Sequence, residues 1–286
     1  MTHPVTGIDH VFLLVHDLDQ AARRYQALGF TVSPRGLHSA AKGSANHTIM
    51  FPQDYFELLG IIAPTEGNLA RRQMIDTMGE GLHAIACRIG DATAGAAALA
   101  DLGIATTGLG SFERPVPLPD GSTGTAAFTT VAFDPAELPF GTVFMCQHRT
   151  RDTVWLPELL EHPNTACGLD AVLAMSDDPQ GDAARFARLW ADGRVLPSAG
   201  GATVDTGPDS APLCVLSRAA LQALYPGLSL DQTPRGAFAA LRIRVADMAA
   251  ARACLERAGI TPLATTLGLA VAPGDACGTI LEFVPA

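Results

Sequence analysis

Four times along this chain an apolar, strand-like run ends in an Asp and is followed by a short helical pattern. A repeat of this kind limits the fold strongly, because each unit exposes an apolar face that only a neighbouring unit can cover. The first copy runs Val11 to Val15, Asp17, a helix over about Leu18 to Leu28, then Gly29-Phe30. The second is Ile85 to Ile89, Asp91, Thr93 to Leu102 and Gly103-Ile104. The third is Ala171 to Met175, Asp177 and Asp182 to Trp190; the fourth is Leu241 to Val245, Asp247, Met248 to Ala258 and Gly259-Ile260. In the first, second and fourth copies the Asp and the residue after the Gly are 13 apart. That spacing suits an Asp-capped helix of about three turns with a Gly stop.

Leu18, Ala21, Ala22, Tyr25 and Leu28 recur at the spacing of one buried helical stripe, so each helix is expected to pack on its own sheet. Each unit closes on an apolar run: Tyr55 to Ile62, Thr142 to Cys146, Pro212 to Leu216 and Thr279 to Val284. The expected unit is strand, helix and about three strands, four βαβββ modules of the α+β class. Aligned on the Asp anchors, one strand face carries Val11, Leu13, Val15; Ile85, Cys87, Ile89; Ala171, Leu173, Met175; and Leu241, Ile243, Val245. This apolar set is expected under the helices. The alternate face, with His10, Phe12, Leu14; Ala84, Ala86, Arg88; Asp170, Val172, Ala174; and Ala240, Arg242, Arg244, is expected to line a cup.

Length and apolar content allow two ordinary cores, and Pro157 and Pro163 mark a linker, which divides the chain into domains 1–163 and 164–286. A net charge of −10 without a Lys/Arg cluster argues against nucleic acid. Six singly spread cysteines read as buried thiols in a reducing compartment. With no basic leader and no apolar stretch long enough for a bilayer, a cytoplasmic protein that avoids membranes is the simplest expectation. All eight histidines lie in the first 162 residues, so imidazole chemistry belongs to the N-terminal half. Gly-Leu-Gly110 and Ala199-Gly-Gly201 lack the context of a nucleotide-binding loop. The proline-bearing stretch Phe112 to Pro139 is expected to form a strand connection or lid over the cup mouth.

The four modules, the opening Asp9-His10-Val11 strand and the closing Phe56-Glu57-Leu58-Leu59 and Thr279-Ile-Leu-Glu-Phe283 strands resemble the vicinal oxygen chelate superfamily. The likeness is to its glyoxalase-like branch, carried by Arg35-Gly-Leu-His38, Gly43 and Asn46, and by Cys146-Gln-His148, Trp155 and His162-Pro-Asn164. The resemblance implies that two modules pair into a cup-shaped sheet, and that a divalent metal (Fe, Mn, Ni or Zn) sits inside on His and Glu side chains. His10 and Glu57 then fall on the ligand positions of the first module. Such a metal leaves open positions for two adjacent substrate oxygens.

The second module departs from that pattern. Counting back from Asp91 gives Ala84 with His83 one position away, which a bulge would have to rotate inward. Alignment through Gly141-Thr-Val-Phe places Met145 where a Glu is expected, with Gln147 on the same face and His148 three residues on. The expected metal set is therefore His10, Glu57, His83 and His148. Glu57 and His38 are the catalytic candidates, and Phe12, Arg88, Asn46 and Gln147 the substrate-binding ones. A carboxylate buried in so apolar a strand must be paired, protonated or on a metal; on a half-exposed strand Glu57 would simply face solvent. Loop polarity alone would explain His38 and His47, and Arg88 suits a substrate carboxylate or an edge salt bridge equally. With Asp170 and Ala240 at the ligand positions, the C-terminal pair is expected to be structural or degenerate. The leading expectation is a metal-dependent lyase, isomerase or dioxygenase acting on a small oxygenated molecule as a monomer or homodimer. The alternative is a metal-free binding or sequestration protein, and a structural interaction module ranks third.

Overall fold

The computed structural model describes residues 2–118 and 120–286, so Pro119 of the expected lid lies outside the described residues. One sheet comprises β1 (Val5–Val15), β2 (Gly36–Leu37), β3 (Ser44–Met50), β4 (Tyr55–Ile61), β5 (Gly81–Ile89), β6 (Thr106–Pro117), β7 (Thr123–Phe133) and β8 (Thr142–His148), in the order β2-β3-β4-β1-β5-β8-β7-β6. The second comprises β9 (Ala166–Met175), β10 (Arg194–Ser198), β11 (Gly201–Asp205), β12 (Leu213–Leu216), β13 (Phe238–Val245), β14 (Leu263–Ala264), β15 (Leu269–Val271) and β16 (Ile280–Pro285), in the equivalent order. Within each sheet the two modules meet through their first strands, β1 against β5 and β9 against β13, both antiparallel. Each first strand also runs parallel to its own closing strand, as β1 does to β4. Two paired-module α+β cups result.

The helices are α1 (Leu18–Ala27), α2 (Leu69–Met78), α3 (Ala92–Asp101), α4 (Pro179–Ala187), α5 (Arg218–Leu224) and α6 (Met248–Arg257). Asp17, Asp91 and Asp247 cap α1, α3 and α6 with their side chains, as the repeat predicts. The third anchor is different: Asp178, not Asp177, accepts the Gly181 amide at the start of α4. A shift of one residue exchanges the faces of a strand. Val172 and Ala174 therefore join the helix-side core with Ala183 and Phe186, while Ala171 and Leu173 turn into the second cup with Tyr225 and Leu221.

Elsewhere the faces fall as the alternation predicts. Val11, Leu13, Ile85, Cys87, Leu241 and Ile243 lie in one core with Leu18, Ala21, Tyr25 and Leu255, and that core runs continuously between the two sheets. Phe30 stacks on Phe283 at 5.7 Å, the Tyr25 hydroxyl donates to the Ala276 carbonyl, and the Leu169 amide donates to Asp54 Oδ1. The helical flanks of both cups thus face each other, and the concave sides point away from the shared core. The sequence repeat does not reveal α2 and α5, which follow β4 and β12. The Phe112–Pro139 stretch is mainly the β6–β7 hairpin. Among the described residues, no helix is long and apolar enough to cross a membrane.

Candidate functional site

The concave side of the first sheet encloses a cavity of about 330 Å³. His10 and Phe12 of β1, Asn46 of β3, Glu57 of β4 and Phe144 of β8 reach it because alternate residues of neighbouring strands share one face. The α2 helix adds Arg71 and Met74, the β6–β7 hairpin adds Phe112, Arg114 and Phe128, and the turn before β3 adds Lys42. Phe12 pairs with Glu57 in register and His10 with Tyr55, which makes His10 and Glu57 diagonal neighbours on adjacent strands.

His10 is 3% exposed and its ring lies flat on Tyr55, with centroids 4.2 Å apart. Its Nδ1 is 2.7 Å from Asp9 Oδ2, and the same oxygen is 2.9 Å from His148 Nε2. Neighbouring strand residues ordinarily point to opposite faces; here the β1–β5 pairing is irregular between Ile8 and His10, which brings Asp9 beside the His10 ring. Burial by itself would raise the Asp9 carboxyl, but the hydrogen bonds and charges of His10 and His148 hold it well below the usual carboxylate range. An ionised Asp9 accepts from both rings, so His10 turns an N–H on Nδ1 towards it.

Glu57 Oε2 accepts from Asn46 Nδ2 at 2.6 Å, leaving Asn46 Oδ1 buried without a partner among the described residues. His38 also lines the cavity, bonded through Nδ1 to the Ser44 hydroxyl, and burial pushes its pKa down to about 4. Three other predicted site residues point elsewhere. His83 Nε2 donates to the Gly79 carbonyl, and Gln147 Oε1 accepts the Ala92 amide at the start of α3. Arg88 donates to the carbonyls of Asp209 and Gln53, joining the two halves. His148 meets His10 through Asp9 and edge-on, with ring centroids 6.4 Å apart.

Strand register tests the metal centre that the family resemblance implies. Ala86 pairs with Phe144 as Phe12 pairs with Glu57, so Phe144, not Met145, occupies the second carboxylate position. Met145 belongs to the helix-side core. The four equivalent inward positions hold His10, Glu57, Ala84 and Phe144, and half of them have no donor atom. These residues do not fit a four-ligand His/Glu centre. A different trio does converge: Asp9, His10 and His148 each offer a ligand atom, and these atoms lie within 4.8 Å of one another.

Asp9, Lys42, Tyr55, Arg71 and Arg114 escaped the sequence reading. Asp9 and Tyr55 adjoin or pair with His10, but the bulge is invisible in sequence; the three cations come from separate elements without a motif.

On the concave side of the second sheet, Ala171, Leu173, Leu221, Tyr225, Ala240 and Ile280 pack into a buried cluster that fills the cup. Glu282 pairs with Arg242 in the same register as Glu57 with Phe12. It is 1% exposed and bound by Arg242, Tyr225 and Thr265.

A fold of paired βαβββ cups around an inward His and Glu defines a vicinal oxygen chelate protein. The chain belongs to the glyoxalase-like domain family, whose sequence profile matches residues 8–190. A search of curated protein sequences returns no match. Among solved structures, the chain is similar to a hypothetical protein from Staphylococcus aureus, with TM-score 0.66 and 14% identity over 98% of this chain and 99% of that one. It is also similar to a variant of homoprotocatechuate 2,3-dioxygenase from B. fuscum, with TM-score 0.57 and 12% identity over 100% of this chain and 72% of that one. At these identities the likeness concerns the fold.

Proposed function

We propose that the chain is an enzyme acting on a small oxygenated organic molecule in the N-terminal cavity, with His10 and Glu57 as the groups that take and return a proton. Residues 1–163 form the active domain and residues 164–286 its scaffold. The observation carrying this reading is the 2.7 Å contact between Asp9 Oδ2 and His10 Nδ1. It orients the imidazole and leaves Nε2 as the basic atom in a cavity walled by Phe12 and Phe144. Asn46 Nδ2 orients Glu57, the cavity's other proton-transfer group. The aromatic walls lower the local dielectric, which strengthens the charge interactions inside. The reaction class that suits two such groups is proton abstraction next to a carbonyl, as in a lyase or isomerase.

A divalent metal is the second reading, favoured by the convergence of Asp9, His10 and His148. Two imidazoles and one carboxylate suit Fe, Mn or Zn, and an ion there would supply Lewis-acid polarisation of a substrate oxygen. Metal-free sequestration is the third.

The test follows solvent deuterium exchange into α-protons of 2-oxo acids by NMR, using full-length protein purified without chelator and assayed for metal. Exchange that persists in EDTA and falls roughly 10²–10⁴-fold in His10→Asn and Glu57→Gln supports acid–base catalysis. Exchange abolished by EDTA and restored by one ion supports the metal reading. No exchange with any acid, or equal exchange in His10→Asn, overturns the acid–base assignment.

A further inference from the structure

The cavity has a charge imbalance that acid–base chemistry does not use. Lys42, Arg71 and Arg114 come from a turn, a helix and a hairpin, yet all three line one space in a chain whose net charge is −10. Among the described residues that line the cavity, Glu57 is the only carboxylate. Among the described residues, none of the three cations forms a salt bridge. Burial lowers the pKa of each, as expected where charged heads are drawn from water without a full set of counter-charges.

The cations are also built into aromatic walls. Lys42 Nζ stands 3.5 Å from the centre of the Phe112 ring, and the Arg71 guanidinium is 6.0 Å from that of Phe12. Ring faces hold a cation without consuming its N–H donors. Gly36 makes room for the third: a Cβ there would stand 2.7 Å from Arg114 Cζ and 2.5 Å from Asn46 Oδ1. The guanidinium therefore lies close against the β2 backbone beside an unpartnered buried acceptor.

We propose that this cavity binds an organic carboxylate with an aromatic body, the carboxylate held by Arg71, Arg114 and Lys42 and the body by Phe12, Phe112 and Phe144. A carboxylate supplies the missing negative charge and accepts a guanidinium in bidentate fashion. A hydroxyl on the same body gives Asn46 Oδ1 its donor. The inference rests on the cavity being the substrate site, but concerns binding rather than turnover.

Calorimetric titration of the full chain with phenylpyruvate and phenylacetate, against phenylacetamide, phenyl phosphate and inorganic phosphate, tests it. The acids are expected to bind roughly tenfold or more tightly than the amide, and Arg71→Gln or Arg114→Gln to weaken them roughly 10–100-fold. Lys42→Met, in the turn before β3, is a second variant should an arginine change impair folding, and is expected to weaken the acids in the same direction. Equal affinity for acid and amide, no binding of either acid, or indifference to these substitutions overturns the proposal. Preference for phenyl phosphate or inorganic phosphate overturns the carboxylate assignment. His10→Asn separates this proposal from the preceding one: carboxylate binding with unchanged exchange refutes only the acid–base reading, whereas lost exchange without acid–amide discrimination refutes only this one.

Discussion

One bulge places Asp9 against His10 and turns an ordinary strand histidine into an oriented one. In Asp9→Asn the negative charge behind the ring is lost and the proton is no longer held on Nδ1. Turnover is expected to fall roughly 100-fold or more, with calorimetric ligand affinity changed only a few-fold. His38 carries a pH signature. Burial holds its pKa at about 4 in the fold against an ordinary 6.5, so between those values the unfolded chain binds the proton and the native one does not. Stability then declines as pH falls from 6.5 to about 4, and His38→Gln flattens that decline in urea unfolding followed across the range. At this scale alternation put His10 on the cup face and the family resemblance singled out Glu57 with it, and both line the cavity. The sequence hid Asp9, because alternation assigns neighbours to opposite faces and a bulge breaks that rule without a residue signature.

Among the elements, the Asp-capped helices were the most legible, since the cap, the apolar stripe and the Gly stop all mark the same boundaries. The third module misled because Asp177 and Asp178 are adjacent and only the second caps the helix; one residue of error exchanged both faces of β9. The same sensitivity separates Phe144 from Met145 on β8. The α2 helix, which brings Arg71 to the cavity, lacks the repeat's spacing and so left no mark. Strand and helix pack closely at Gly60, where a Cβ would lie 2.7 Å from Leu18 Cβ. Gly60→Ala forces α1 away from β4 and is expected to cost about 1–3 kcal/mol in denaturant unfolding.

In the whole molecule, the two cups share one core rather than owning separate ones. Phe283→Ala, which removes the ring stacked on Phe30, is expected to destabilise the protein by about 3–5 kcal/mol by calorimetry, as a single transition. Asp54 fastens the cups from the other side, and burial lifts its carboxyl to about 6 while it accepts the Leu169 amide. A raised carboxyl is most favourable to folding in acid, and that contribution is lost as pH rises through about 6. Asp54→Asn keeps the acceptor without the ionisation, so its melting temperature is expected to exceed that of the wild type above pH 7. The filled second cup has a consequence of its own. Glu282 stands where Glu57 stands, silenced by a guanidinium and a phenol that the first cup lacks at that register. Removing Arg242 and Tyr225 together would hollow out a twin chamber around a carboxylate stranded in the interior, so the vacancy would cost the fold about 3–5 kcal/mol.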